Sequence, residues 1–201
     1  MPDFYWLAMR DKGWHEDAVG RMDKLADRML PFQDGTPANQ SPNGGRVLAG
    51  AWTDLRDGDS VWIPVHGRKK STETVAWVVN GTPIDWTAEQ VAQAIYGNLF
   101  PRVNIAINYH LLACFGANNI IPFGKSFGEK FAKAMSVLLL RGSLTAYKGA
   151  TGMAAHRGMQ VGSSRITAAP VFFFHRGAGK PRGDIAIETA SHSWPLSGTG
   201  G

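Results

Sequence analysis

The chain has one cysteine, Cys114, in 201 residues. That excludes an internal disulfide and a structural zinc site built on cysteines, and it leaves any thiol chemistry to a single side chain. Long apolar runs are missing too. The longest are strand-sized or broken by Gly, Pro and charge, well short of the roughly 20 residues a membrane helix needs, so no membrane span is expected. The opening MPDFYWLAMRDKGWHED has acidic residues early and no basic start ahead of a long apolar segment. It reads as a first strand and not as a secretory signal, which points to a cytoplasmic protein.

What is present is enough for a sizeable core: 44% of residues are apolar, and the length fits one domain, residues 1–196, with a flexible tail at 197–201. The formal charge is +5, with basic residues gathered in HGRKK (66–70) and HRGAGKPRG (175–183). Such an excess speaks to association and not to fold; a soluble basic surface accounts for it, and nucleic acid is an unlikely partner.

Hydrophobic spacing gives the elements. Val19, Met22, Leu25, Ala26, Met29 and Leu30 recur at helical intervals, predicting a helix that Pro31 ends. The Pro-, Gly- and Asn-rich stretch 31–45 reads as a long loop. SVWIPV (60–65), bounded by RDGD and HG, reads as a strand buried on both faces. A Thr87/Gln90 capping box opens a helix over TAEQVAQAIYGNL, and a Ser126/Glu129 box opens a second, with Phe127, Phe131, Met135, Leu138 and Leu139 on one face and Gly142 as its stop. RVNIAINYHLLA (102–113) reads as a central strand, and SLTAYKG (143–149) and RITAAPVFFFHRG (165–177) as further strands. The alternation of strand and helix from about 60 to 147 predicts an α/β fold, with a mostly parallel central sheet and helices on both faces.

Two of these strands end in chemically distinctive residues. VWIPVHG stops at His66-Gly67, and forty-eight residues later INYHLLACFG stops at Cys114. In open α/β sheets functional groups collect where strands end at their carboxyl edge. An imidazole there can supply the base a thiol needs to become a nucleophile at neutral pH. The backbone N–H groups of Gly67 and Cys114 would hold the oxyanion. His110, on the same strand as Cys114, reads as a packed or hydrogen-bonded sheet residue, and His175 as a strand-end residue.

An apolar strand ending in His-Gly, followed about 50 residues later by one ending in Ala-Cys, resembles the caspase-like cysteine peptidases. The succession HGRKK, TAEQVAQAI, LLACFG, SFGEKFAKAM over roughly residues 57–147 is most similar to the self-processing cysteine protease domains of RTX-type bacterial toxins. The resemblance implies a caspase-like three-layer sandwich and a cysteine endopeptidase with His66 as catalytic histidine and Cys114 as nucleophile. It implies a protein or peptide substrate, the chain itself included, and a bacterial effector delivered into a target cell or a self-processing module. Leu112 stands where caspases carry Gln. By the same analogy Arg68, Lys69, Lys70, Lys148, Arg157 and Arg165 are candidates to bind a polyanion, inositol hexakisphosphate, as an activator. No other cofactor and no metal is implied. The segment 147–165 has no acidic residue, so an apolar or acidic side chain before the scissile bond is expected over Lys or Arg, unless Asp57 or Asp59 reaches the pocket.

Two other classes compete. GKSFG (124–128) satisfies the serine-hydrolase elbow pattern, with Ser126 as nucleophile and Asp184 and His192 as partners, although Ser126 already has a role as helix cap. The end of ANNIIPFGKS also looks like a phosphate-binding loop, but Asn119 replaces its first Gly. The aromatic and basic VFFFHRGAGKPRG could serve a non-catalytic binding module that grips single strands.

Overall fold

The structure, a computed structural model, describes residues 4–8, 28–31, 48–49, 51–68, 71–79, 82–114, 116–119, 124–148, 160–161, 164–165 and 191–197. Seven strands form one sheet that joins segments from near both ends of the chain. They are β1 (Phe4–Ala8), β2 (Arg28–Pro31), β3 (Leu48–Ala49), β4 (Ser60–Pro64), β7 (Ala106–Leu112), β8 (Arg141–Tyr147) and β11 (Ser191–Leu196), in the spatial order β11-β8-β7-β4-β1-β2-β3. Every neighbouring pair is parallel except β8 with β11, which closes one edge antiparallel. Two small antiparallel pairs stand apart: β5 (Thr74–Val79) with β6 (Thr82–Thr87), and β9 (Gln160–Val161) with β10 (Ser164–Arg165).

Helix α1 (Ala88–Leu99) starts as its sequence predicts. The Thr87 side chain accepts from the Gln90 N–H at 3.3 Å, and the Gln90 side chain accepts from the Thr87 N–H at 2.8 Å. Helix α2 (Phe127–Val137) has half of such a box: Ser126 Oγ accepts from the Glu129 N–H at 3.1 Å, while the Glu129 carboxylate turns to Lys125. The two helices pack against each other. They bury Val91, Ile95, Phe131 and Met135 against Val61, Ile63, Val65, Ile107, Tyr109, Leu111, Leu144 and Ala146 of the sheet, in one core cluster. Each such aliphatic or aromatic side chain withdrawn from water contributes about 1.5–3 kcal/mol.

Two expectations need correction, and one element was missed. Residues 28–31 are a strand and not the end of a helix: Leu30 is fully buried, and Tyr5 to Ala8 pair in register with Arg28 to Pro31. A run of Met29 and Leu30 suits either state, and the sheet decides it; residues 19–27 lie outside the described set. Helix α2 ends at Val137 and not near Gly142, with Leu139 half-exposed at φ 60°. Gly142 instead opens β8 at φ 109°, where a Cβ would overlap the backbone of Ile107. The β5–β6 hairpin was not expected at all. Its signal was present in TVAWVV, Asn80-Gly81 and TPIDWT, since an Asn-Gly pair between β-rich segments is a strong hairpin mark. The expected strand over 165–177 is described only at Arg165, and the loop over 31–45 only at Pro31, the last residue of β2.

Candidate active site

The register between β4 and β7 is set at their amino ends by a dense polar lock. The Asp57 carboxylate accepts from the Ala106 N–H at 2.7 Å, and the Gly58 N–H donates to the Ala106 carbonyl at 2.8 Å. The Asn108 N–H donates to the Asp59 carbonyl at 2.9 Å, and its side-chain amide donates to the Gly58 carbonyl at 3.1 Å. Asp59, buried, accepts from the Arg56 N–H at 2.8 Å. Arg102 adds a clamp from the far side, donating to the carbonyls of Thr53 and Leu55. Asp57 and Asp59 therefore belong to the amino edge, roughly 23–30 Å of extended chain from His66. They serve alignment and are not placed to line a substrate pocket beside Cys114.

That alignment carries through to the other end. The ladder pairs Ser60 with Asn108, Trp62 with His110 and Pro64 with Leu112, and the Val65 N–H extends it to the Leu112 carbonyl at 3.2 Å. His66 and Cys114 each follow two residues after the last pair of that ladder. Their neighbours Val65 and Ala113 are fully buried in the helix-covered core, so alternation continued past the strand ends would turn His66 and Cys114 to the opposite face. Both are half-buried. His66 leaves the sheet by a backbone bridge to Ala76 of β5, with N–H to carbonyl distances of 2.9 and 2.8 Å in the two directions. The unexpected hairpin thus holds the histidine. Gly67 lies directly against Cys114, where any Cβ would overlap the cysteine carbonyl. After Cys114 the chain turns, with the Gly116 N–H donating to the Ala113 carbonyl at 3.0 Å and the Ala117 N–H to the Tyr147 carbonyl at 2.9 Å.

The sheet face opposite the helices mixes buried Trp62, Pro64 and Leu112 with polar pairs. Ser143 Oγ donates to the Asn108 side-chain carbonyl at 3.1 Å, and the Thr145 and Ser193 hydroxyls are 2.7 Å apart. The His110 ring lies flat on Trp62, with centroids 4.0 Å apart and planes within 7°, and its Nδ1 is 3.1 Å from the Tyr147 hydroxyl. Burial pushes the His110 pKa down to about 4. A ring so engaged two rungs below Cys114 is a sheet residue and not a free base.

The other sequence candidates separate. Ser126 is buried and its hydroxyl caps α2, whereas an elbow nucleophile must present its oxygen to a crevice. His192 lies in the edge strand β11, beside the Trp194 ring; Asp184 and His175 are outside the described residues. Of the basic set, Arg68 is paired with Asp85 of β6, Lys148 is exposed at the end of β8, and Arg165 lies in β10. Lys69, Lys70 and Arg157 are outside the described residues. Among the described residues no cluster of His, Cys, Asp and Glu could hold a metal ion, and no helix is long and apolar enough to cross a membrane. A groove of about 550 Å³ between the helices, lined by Glu89, Gln93, Lys130, Ala134 and Val137 among others, belongs to the helix layer, and neither His66 nor Cys114 lines it. No protein-family model matches the chain, and no curated protein matches it significantly.

Proposed function

We propose that the chain is a cysteine endopeptidase of caspase-like architecture, acting through Cys114 and His66. The observation that supports this reading is the β4–β7 register: two adjacent parallel strands, locked at their amino ends, pair as far as Pro64 and Leu112, each two residues before the histidine and the chain's sole cysteine. Further support comes from Gly67, whose lack of a side chain lets the backbone after His66 approach Cys114. In the reaction the Cys114 thiolate attacks the substrate carbonyl carbon, and N–H groups of Gly67 and Cys114 stabilise the oxyanion. His66 protonates the departing amine, then takes a proton from the water that hydrolyses the thioester and frees the thiol.

The proposed substrates are proteins or peptides with an apolar or acidic residue before the scissile bond, the chain itself among them. A self-processing module or delivered bacterial effector is the setting the sequence resemblance supports. A polyanion such as inositol hexakisphosphate is a proposed activator; among the described candidate ligands, Lys148 follows the carboxyl end of β8 and is exposed, while Arg68 already has a carboxylate partner. The test is cleavage of a peptide library, with and without inositol hexakisphosphate, together with labelling by a peptide electrophile. Cleavage and labelling that vanish in Cys114→Ala and persist in Ser126→Ala are expected. A dead Ser126→Ala beside an active Cys114→Ala would install the serine reading, and salt-sensitive RNA binding without hydrolysis would install the binding-module reading.

A further inference from the structure

The Tyr147 side chain and the nucleophile turn are connected by a continuous path that crosses three strands. On β4, Trp62 presents its ring to His110 of β7 in a flat stack. On β7, His110 Nδ1 meets the hydroxyl of Tyr147, the last residue of β8. The Tyr147 carbonyl then accepts from the Ala117 N–H at 2.9 Å, three residues beyond Cys114, in the turn that the Gly116 to Ala113 bond closes. Trp62 and Tyr147 are both buried, so the path is shielded from water, where each hydrogen bond holds its geometry more firmly.

We infer that Tyr147 is a positioning residue for Cys114: anchored through its hydroxyl to the His110–Trp62 stack, it fixes through its own carbonyl the turn that aims the thiol. The inference rests on the peptidase reading for its catalytic meaning, but its structural claim concerns the turn alone. A strand-end residue normally frays, because beyond it the ladder stops. Here the backbone pairs with Ser191 of β11 and the side chain is tied back to His110, and together these limit the swing of the carbonyl that holds Ala117. His110 lies in β7 and Cys114 follows two residues after that strand ends, so loosening of the stack would shift the thiol relative to His66. Shifts near 1 Å at such a site reduce turnover by about a hundredfold.

Two variants remove the same bond from opposite ends. Tyr147→Phe deletes only the hydroxyl, and His110→Phe keeps a flat ring on Trp62 but no nitrogen. Amide hydrogen exchange at Ala117, followed by NMR, reads the turn without requiring catalysis. The rate of alkylation of Cys114 by iodoacetamide reads the thiol. Exchange at Ala117 at least tenfold faster in both variants, an altered alkylation rate, and kcat on a cleaved peptide lowered tenfold or more with KM within twofold are expected. Trp62→Phe, which preserves a stacking ring, should leave exchange within twofold of the parent. Unchanged exchange and alkylation in both variants would overturn the inference. If one variant fails to fold, the other decides. If the unmodified chain cleaves no peptide, the peptidase reading fails, while exchange and alkylation still judge the role of Tyr147.

Discussion

The two faces of the central sheet differ in what they ask of a side chain. On one, β4, β7 and β8 send Val61, Ile63, Val65, Ile107, Leu111, Leu144 and Ala146 into the helices, and almost everything there is apolar. On the other, Asn108, His110, Ser143, Thr145, Tyr147 and Ser193 are joined by side-chain hydrogen bonds, and His66 and Cys114 follow two residues after β4 and β7 end. The first face gains stability from area and packing, which are forgiving of detail. The second depends on paired polar groups, each costly to leave unsatisfied. The proposed site lies toward the face with the polar pairs, and the contrast can be attacked residue by residue.

The largest contrast is between Cys114→Ala and Phe131→Ala. The first should abolish peptide cleavage while leaving the urea midpoint close to the parent's, because Cys114 is half-buried and outside the core cluster. The second empties a fully buried position in α2 and should cost about 3–5 kcal/mol. A stability loss in Cys114→Ala as large as in Phe131→Ala would make the cysteine a packing residue and dissolve the difference between the faces.

His110 offers a second contrast through pH. Its pKa in the fold is pushed down to about 4 by burial, from an unfolded value of about 6.5. Between those values the unfolded chain binds more protons than the folded one, so the ring's contribution to stability falls as pH drops from about 6.5 to about 4 and is flat on either side. The full effect is at most about 3 kcal/mol. Urea titrations across that range should show it, and His110→Phe should remove that part of the slope. An identical slope in the variant would mean that the ring titrates as it does in water.

One chemical change can be made on both faces. Tyr109, on the helix side, is fully buried, and its hydroxyl finds no partner among the described residues; burial raises its pKa. Tyr109→Phe should therefore be neutral or stabilising by about 1 kcal/mol, whereas Tyr147→Phe strips a partner from His110 and should cost about 1–2 kcal/mol. Opposite signs for the same deletion would sharpen the comparison. Matching signs in thermal unfolding would break it.

How much of this could be read from the chain depended on whether the controlling signal was local. The α1 cap and the β4 and β7 strands are written in consecutive residues, and the structure places them accordingly, with the strands ending at Pro64 and Leu112, two residues before His66 and Cys114. The failures lie where long-range pairing decides. Met29 and Leu30 fit a helical period, yet β1 recruits them as a strand. Leu139 continues the apolar face of α2 on paper, but the chain leaves the helix so that Gly142 can enter the sheet against Ile107. Asp57 and Asp59 resembled candidate pocket acids, because a sequence does not show which edge of a sheet a residue occupies. The His110–Tyr147 bond joins positions 37 residues apart, and nothing near either residue announces it.

Ser126 gives the smallest effect and the cleanest division between the competing chemistries. Its hydroxyl accepts from the Glu129 N–H, one of the amides that a helix start leaves without an internal partner. Ser126→Ala leaves that amide unpaired and should cost about 1 kcal/mol. Gly128 adds a constraint nearby: a Cβ there would come within 2.9 Å of Ala146 and of the Trp194 ring, so the helix start is already seated tightly on β8 and β11 and should hold its place without the cap. Peptide cleavage should accordingly be retained within about twofold while the thermal midpoint falls by roughly 2–4 °C. Loss of activity at an unchanged midpoint would reverse the assignment, because a residue that only caps a helix cannot extinguish catalysis without weakening the fold.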